Sequence, residues 1–183
     1  IWIGSFGGGL NKFITNQSIF TKIIYNPFDP QGITEAGIYS LSEDSDGIIW
    51  IGTYGNGLFT YDKKLGKSES YSHIKTDSTS LSDNNISAIL QDTDGTIWIS
   101  TYNGLNKFNK ENGKFIRYTP DAGLPSTTIY GLLEDNKHNL WLSTNKGLCR
   151  FNYRSGGIRN YNTNDGILSD EFNQWAYFKG KSG

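Results

Sequence analysis

Tryptophan recurs at Trp2, Trp50, Trp98 and Trp141, 43 to 48 residues apart, and each copy sits in the same phrase: IWIGSFGGGLNKF, IWIGTYGNGLFTY, IWISTYNGLNKF and LWLSTNKGLCRF. Identity, spacing and hydrophobic pattern repeat together, which makes the chain a repeat protein. The upstream halves agree as well. Ile38-Tyr39-Ser40-Leu41, Ile86-Ser87-Ala88-Ile89 and Ile129-Tyr130-Gly131-Leu132 precede Asp44, Asp92 and Asp135, each six residues before its tryptophan. A period of about 40–50 residues built from short strands is the signature of four-stranded β-propeller blades.

Within a repeat the pattern is that of strands. Stretches such as Ile48–Thr53 and Gly57–Tyr61 are mostly β-branched or aromatic and are bounded by Gly, Asn and Asp, whereas no ten-residue stretch offers a capped helical apolar stripe. The turns divide each repeat. Asp46-Gly47 and Asp94-Gly95 join the first strand to the tryptophan strand, as Asp-Gly does where both central residues take positive φ. Lys137-His138 replaces that pair in the fourth repeat, and histidine is among the residues enriched in left-handed conformations. Gly9, Gly57, Gly104 and Gly147 mark the second turn; Gly66, Gly113 and Gly156-Gly157 mark the third. Three turns make four strands.

The predicted organisation is all-β, with about four blades of four antiparallel strands. Residues 1–25 give an incomplete blade; 38–74, 86–118 and 129–161 give whole ones; 172–183 start another, with Phe172 to Lys179 as its first strand. Polar connections at 26–37, 75–85, 119–128 and 162–171 are the crossovers. Three of them carry Leu81, Leu124 and Leu168, expected to be buried between blades. The chain opens inside the tryptophan phrase and contains no methionine, so it reads as a fragment of a larger ring. The other reading is a four-bladed ring closed by pairing of the terminal strand with the first blade.

Composition excludes several classes. With 17 basic and 18 acidic residues and a formal charge of -1, no basic face is visible for nucleic acid or anionic lipid. No apolar run reaches the roughly 18 residues of a membrane span, and no leader pattern is visible. Cys149 is the only cysteine, so there is no intrachain disulfide and no cysteine metal site, and without a base nearby it reads as a strand residue. His73 and His138 lack partners at ligand spacing. Gly7-Gly8-Gly9 is a turn, since no helix follows to hold an anion. Asp44-Ser45-Asp46-Gly47 and its copy at 92–95 fail as calcium loops, because the twelfth residue is Gly55 or Asn103; the aspartate instead caps its own hairpin. No cofactor or metal is expected.

The repeated phrase, Ile-x-x-Ile/Leu-x-x-Asp-x-x-Gly-x-Ile-Trp-Ile-Gly-Thr followed by Gly-Leu, resembles the two-component regulator propeller repeat. Leu81 to Leu105 is the fullest copy, and the fourth departs at His138, where the pattern has glycine. The resemblance implies the extracytoplasmic sensor region of a hybrid two-component system, commonly two seven-bladed propellers, a β-sandwich, a membrane span and a histidine kinase. It implies a periplasmic setting, a polysaccharide-derived oligosaccharide as ligand, self-association of the parent ectodomain and no chemistry in this region. The phrase Leu168–Asn173 is similar to the opening of the last blades ahead of the sandwich.

Trp50, Trp98 and Trp141 are expected in the core, since one strand position repeated in every blade packs between sheets. The residues closing the tryptophan strand, Phe6, Tyr54, Tyr102 and Asn145, share one repeat position. With Asn56, Asn84, Asn85 and Asn103 they are expected on the crossover face, near the ring mouth, where aromatics beside amides suit a sugar. The same amides are turn formers, and the sequence leaves both roles open. The arginines Arg117, Arg150, Arg154 and Arg159 fall on late strands or turns, away from the mouth positions, which disfavours an enzyme of acidic sugars. A structural propeller that binds protein, or a fragment of a carbohydrate-active enzyme, is the alternative.

Overall fold

The computed structural model describes residues 1–23 and 37–180. Its strands are β1 (Trp2–Ser5), β2 (Gly9–Ile14), β3 (Ile19–Ile23), β4 (Ile38–Glu43), β5 (Ile48–Thr53), β6 (Leu58–Asp62), β7 (Lys67–Tyr71), β8 (Ile86–Gln91), β9 (Ile97–Thr101), β10 (Gly104–Asn109), β11 (Lys114–Tyr118), β12 (Ile129–Glu134), β13 (Asn139–Thr144), β14 (Gly147–Asn152) and β15 (Gly157–Tyr161). Among the described residues they form one three-stranded and three four-stranded antiparallel meanders, here blades one to four in chain order. The only helical pieces described are two single 3-10 turns, in the crossovers at Pro120–Ala122 and Thr163–Asp165. The first strands β4, β8 and β12 pack one against the next and line the inner side of the fan.

One aspartate organises each inner hairpin. Asp44 accepts the backbone N–H of Asp46 and Ile48 on one oxygen (3.0 and 2.9 Å) and the indole N–H of Trp50 on the other (2.8 Å). Asp92 does the same for Asp94, Thr96 and Trp98, and Asp135 for Lys137, Asn139 and Trp141. The expected self-capping aspartate is therefore present, with the tryptophan as its third client. The turn itself differs from expectation. Gly47 and Gly95 lie at φ +84°, but Asp46 and Asp94 do not share the positive region. Each loop is a three-residue connection in which the last residue alone is left-handed, a form that frees the aspartate to accept from the turn. His138, at φ 59°, fills that last position in blade four.

The cores lie between sheets. Trp2 meets Tyr61 of the next blade edge-on at 5.7 Å; Trp50 meets Phe108 at 5.0 Å and Trp98 meets Phe151 at 5.8 Å in the same way. Trp50 and Trp98 are 3% and 0% exposed. Trp141 is only half-buried and stacks on Tyr161 of its own blade, for no further sheet follows among the described residues. Leu81 and Leu124 seal the crossovers as expected, whereas Leu168, at the equivalent place after blade four, is fully exposed. Glycine permits the close approach of blades two and three: a Cβ at Gly52 would collide with Ile86.

Adjacent blades are also tied by polar links that repeat. The residue before each clasping aspartate reaches the preceding blade's turn: Ser45 N–H donates to the Gln91 side chain (2.8 Å), and Thr93 N–H and Oγ1 donate to Glu134 (3.0 and 2.9 Å). A second link joins Lys110 to Asp46 (2.8 Å) and Arg154 to Asp94 (2.6 Å). The Arg154 hydrogen bond holds the Asp94 carboxyl below its usual range.

The segment expected to begin a further blade forms no strand among its described residues. Residues 171–180 contain no strand; Phe172 N–H donates to Thr144 O of blade four (3.1 Å), and Tyr177 packs against that blade's core. A first strand is held by the tryptophan strand that follows it, and none follows here among the described residues. Nor does this segment pair with β1 among the described residues. The connection at 26–36 and residues 181–183 lie outside the described residues.

Replacing Asp92 with Asn keeps the size but turns an N–H donor toward the Trp98 indole N–H, leaving a buried donor unsatisfied. Urea unfolding of this variant should show a loss of about 1.5–3 kcal/mol; an unchanged midpoint would refute the clasp. Burial alone would raise the Asp135 carboxyl, but the Asn139 and Trp141 side chains and the N–H groups of Asn139 and Lys137 outweigh it and hold it well below the ordinary value of 3.8. A carboxyl depressed in the folded state stabilises fully above that value and loses its contribution as pH falls below it. Melting temperature should therefore drop as pH falls below about 4, the ordinary carboxyl range, with a shallower acid slope in Asp135→Asn; identical slopes would contradict this account.

Candidate functional site

The crossovers are fastened to the turns after the tryptophan strands, which gathers the mouth on one face. Gly57 N–H donates to Asn84 O (2.9 Å), Gly104 to Thr127 O (2.7 Å), and Gly147 to Asp170 O; Tyr54 N–H donates to Gly37 O (2.9 Å) and Tyr102 N–H to Asn85 O (3.2 Å). The acceptors stand at equivalent crossover positions in successive blades, so the side chain that closes each tryptophan strand is delivered to the same rim.

Three of the four residues at that position come together there. Tyr54 stacks on Tyr39 with centroids 5.2 Å apart, Phe6 lies 6.4 Å from Tyr39 on its other flank, and Tyr102 meets Tyr54 edge-on at 6.5 Å. Trp175 completes the run, edge-on to Tyr39 at 5.2 Å, with its indole N–H donating to Tyr39 O (3.3 Å). Phe6 is 77% exposed, Tyr54 48% and Trp175 58%, so this apolar row faces solvent. Burial and the neighbouring Tyr39, Tyr54 and Tyr130 push the Tyr102 phenol up, against the bond it accepts from Gln174. Beside it Tyr102, Thr128, Tyr130, Asn173, Gln174 and Trp175 border an open recess of about 620 Å³.

Tyr39 and Tyr130 are not among the residues that the sequence places at the mouth. Both stand second in the Ile-x-x-Ile/Leu phrase, where Ser87 is the third copy, and the register of β4, β8 and β12 against their partners slips at this residue in all three blades. Such a bulge re-aims one side chain out of the pleat. Where Ser87 bonds Ser100 in blade three (2.9 Å), tyrosine stands in blade four, and the buried Ser143 hydroxyl is left without a partner.

The asparagines are spent differently. Asn84 accepts from His73 N–H (2.6 Å), Asn85 donates to Asp83 (2.8 Å), Asn103 donates to Ser82 O (3.3 Å) and Asn145 accepts from the Ser126 hydroxyl. Each braces a crossover or turn; Asn56 sits exposed on the β5–β6 turn. The aromatic row, rather than the amides, is the feature with surface to spare.

Elsewhere the titratable side chains serve the scaffold. Arg117 pins the crossover before blade three, donating to the carbonyls of Asp77, Ser80 and Leu81 at 2.7 to 2.9 Å. Burial pushes the Cys149 thiol up to about 12. Among the described residues no group of three or more His, Cys, Asp or Glu is placed to hold a metal, and no helix is long and apolar enough to cross a membrane.

The profile of the two component regulator propeller family matches residues 32–55, 80–103 and 123–146. No curated protein matches the chain. Among solved structures, the extracellular domain of the hybrid two component system BT3049 from B. thetaiotaomicron is 23% identical with a TM-score of 0.75, over 87% of this chain and 23% of that one. That of BT4673 from B. thetaiotaomicron is 20% identical with a TM-score of 0.63, over 94% and 32%. Virginiamycin B lyase from Staphylococcus aureus is 17% identical with a TM-score of 0.62, over 85% and 48%. The chain thus spans a quarter to a third of the two ectodomains, and at these identities the likeness is one of fold.

Proposed function

We propose, from the match of three segments to the two component regulator propeller profile, that this chain forms part of the extracytoplasmic, periplasmic sensing region of a hybrid two-component system and that its mouth takes an oligosaccharide. The observation that carries the reading is the solvent-facing row Phe6–Tyr39–Tyr54–Tyr102 with Trp175 beside it. Such a row offers flat apolar faces to the C–H side of a sugar ring, while the edges of the recess supply hydroxyl and amide partners from Tyr130, Thr128 and Asn173. A fold shared with a lyase does not decide chemistry; the rim presents stacking surface rather than a pair of carboxylates across a bond. Signalling then follows by population shift: a ligand that contacts one arrangement of paired ectodomains better than the other moves the equilibrium toward it, by no more than its differential affinity.

The test is an oligosaccharide array probed with the chain and with Tyr39→Ala and Tyr54→Ala. A subset of glycans should be retained by the native chain and bound about two- to tenfold more weakly by either variant, in line with the ~0.5–1.5 kcal/mol of an aromatic stack. Absence of any retained glycan would overturn the reading. If Tyr54→Ala then also abolished self-association in sedimentation, the row would be a protein interface instead.

A further inference from the structure

On the face opposite the mouth, the tryptophan of each blade meets an aromatic of the third strand of the next. Two of these junctions are built from complete blades, and they differ at several positions, among them Lys110 against Tyr153, Asp62 against Asn109, Glu69 against Ile116 and Gln91 against Glu134. Between blades three and four, Tyr153 lies over Trp98 with centroids 5.8 Å apart and donates its hydroxyl to Glu134 (2.7 Å). Between blades two and three the residue at that position is Lys110, as the alignment of Phe108-Asn109-Lys110 with Phe151-Asn152-Tyr153 shows. The rest of the aromatic frame is kept: Trp50 stands for Trp98, Phe108 for Phe151 and Tyr71 for Tyr118.

Loss of the ring leaves space. A groove of about 460 Å³ opens between Trp50, Tyr71, Phe108 and Lys110, within the range of about 300–1,000 Å³ typical of small-ligand sites. Lys110 does not refill it, because its ammonium is drawn to one end, 2.8 Å from Asp46 and 4.0 Å from Asp44. At the other end Asp62 and Glu69 line the groove, with Lys67 as the cation beside them. Counting every charged lining residue, four carboxylates (Asp44, Asp46, Asp62, Glu69) face two ammonium groups (Lys67, Lys110). The Tyr71 hydroxyl donates to Glu69 (2.7 Å), and burial and that carboxylate together push the phenol well above its usual value.

We infer that this groove is a second ligand site, separate from the mouth, for a small aromatic amine: a hydroxylated ring carrying an ammonium group. The vacancy is that of the Tyr153 ring over its tryptophan; the residue equivalent to Glu134, which takes the Tyr153 hydroxyl, is the amide Gln91 here. The excess carboxylate selects the charge, and the Tyr71 and Phe108 rings add the attraction of aromatic surfaces for a cation. The site does not depend on what the mouth binds.

Tyramine is the direct probe and 4-hydroxyphenylacetate, the same ring with the opposite charge, is its control. Calorimetric titration of the chain should show saturable tyramine binding and at least about tenfold weaker binding of the acid, the scale of a charge-assisted hydrogen bond. Lys110→Tyr rebuilds the filled groove and should abolish tyramine binding while melting at or above the native temperature. Glu69→Gln should weaken it several-fold, and Tyr54→Ala at the mouth should leave it unchanged. No saturable tyramine binding, undiminished binding by Lys110→Tyr, equal binding of the acid, or loss of binding in Tyr54→Ala would each overturn the proposal.

Discussion

The carboxylate that precedes Trp50, Trp98 and Trp141 by six residues is the interaction on which the other contacts depend. One oxygen closes the hairpin by accepting two turn N–H groups, and the other holds the indole N–H. A buried indole without an acceptor would carry the desolvation cost of its N–H. With the acceptor supplied from its own hairpin, the large ring can lie on the face of its blade and offer the apolar remainder to the neighbouring sheet. Local turn chemistry and the inter-blade core are thus coupled through a single side chain, and the coupling is repeated at Asp44, Asp92 and Asp135.

From that coupling the blade interfaces follow in register. The tryptophan receives an aromatic edge from the next blade's third strand, a leucine from the crossover closes the gap, and Gln91 or Glu134 reaches back to the preceding turn. In this one-dimensional stacking each blade contacts its neighbours alone, so local differences persist without disturbing the rest. The half-buried Trp141 and the exposed Leu168 show the converse: the same residue types lose burial where no further sheet is described.

Much of this was legible in the chain because period, strand pattern and turn residues are local properties. The tryptophan core, the self-capping aspartate, the left-handed His138 and the burial of Leu81 and Leu124 could all be read from spacing and residue type. The Asp-Gly turn was read with both residues left-handed, an error of detail that arises because the dipeptide suits more than one loop length and the aspartate's own hydrogen bonds select among them. The segment after Phe172 was read as a strand, and its pattern is indeed that of one. A strand pattern is realised only against a pairing partner, and the residue preferences of Phe172–Lys179 carry no information about whether that partner is there.

The mouth and the groove mark the division most sharply. Sequence determined that Phe6, Tyr54 and Tyr102 hold one repeat position, and hence one rim, because equivalent positions in a periodic array share a place in the fold. Tertiary structure decided that Tyr39 and Trp175 join them, through a bulge and a chain segment that returns across the face, and that the amides are consumed in bracing the crossovers. It decided as well that the Lys110 and Tyr153 copies of one position leave an open groove and a filled one. Periodicity specifies what the repeats have in common; which neighbours a side chain meets depends on distances between blades, and those are set by packing across the whole fan.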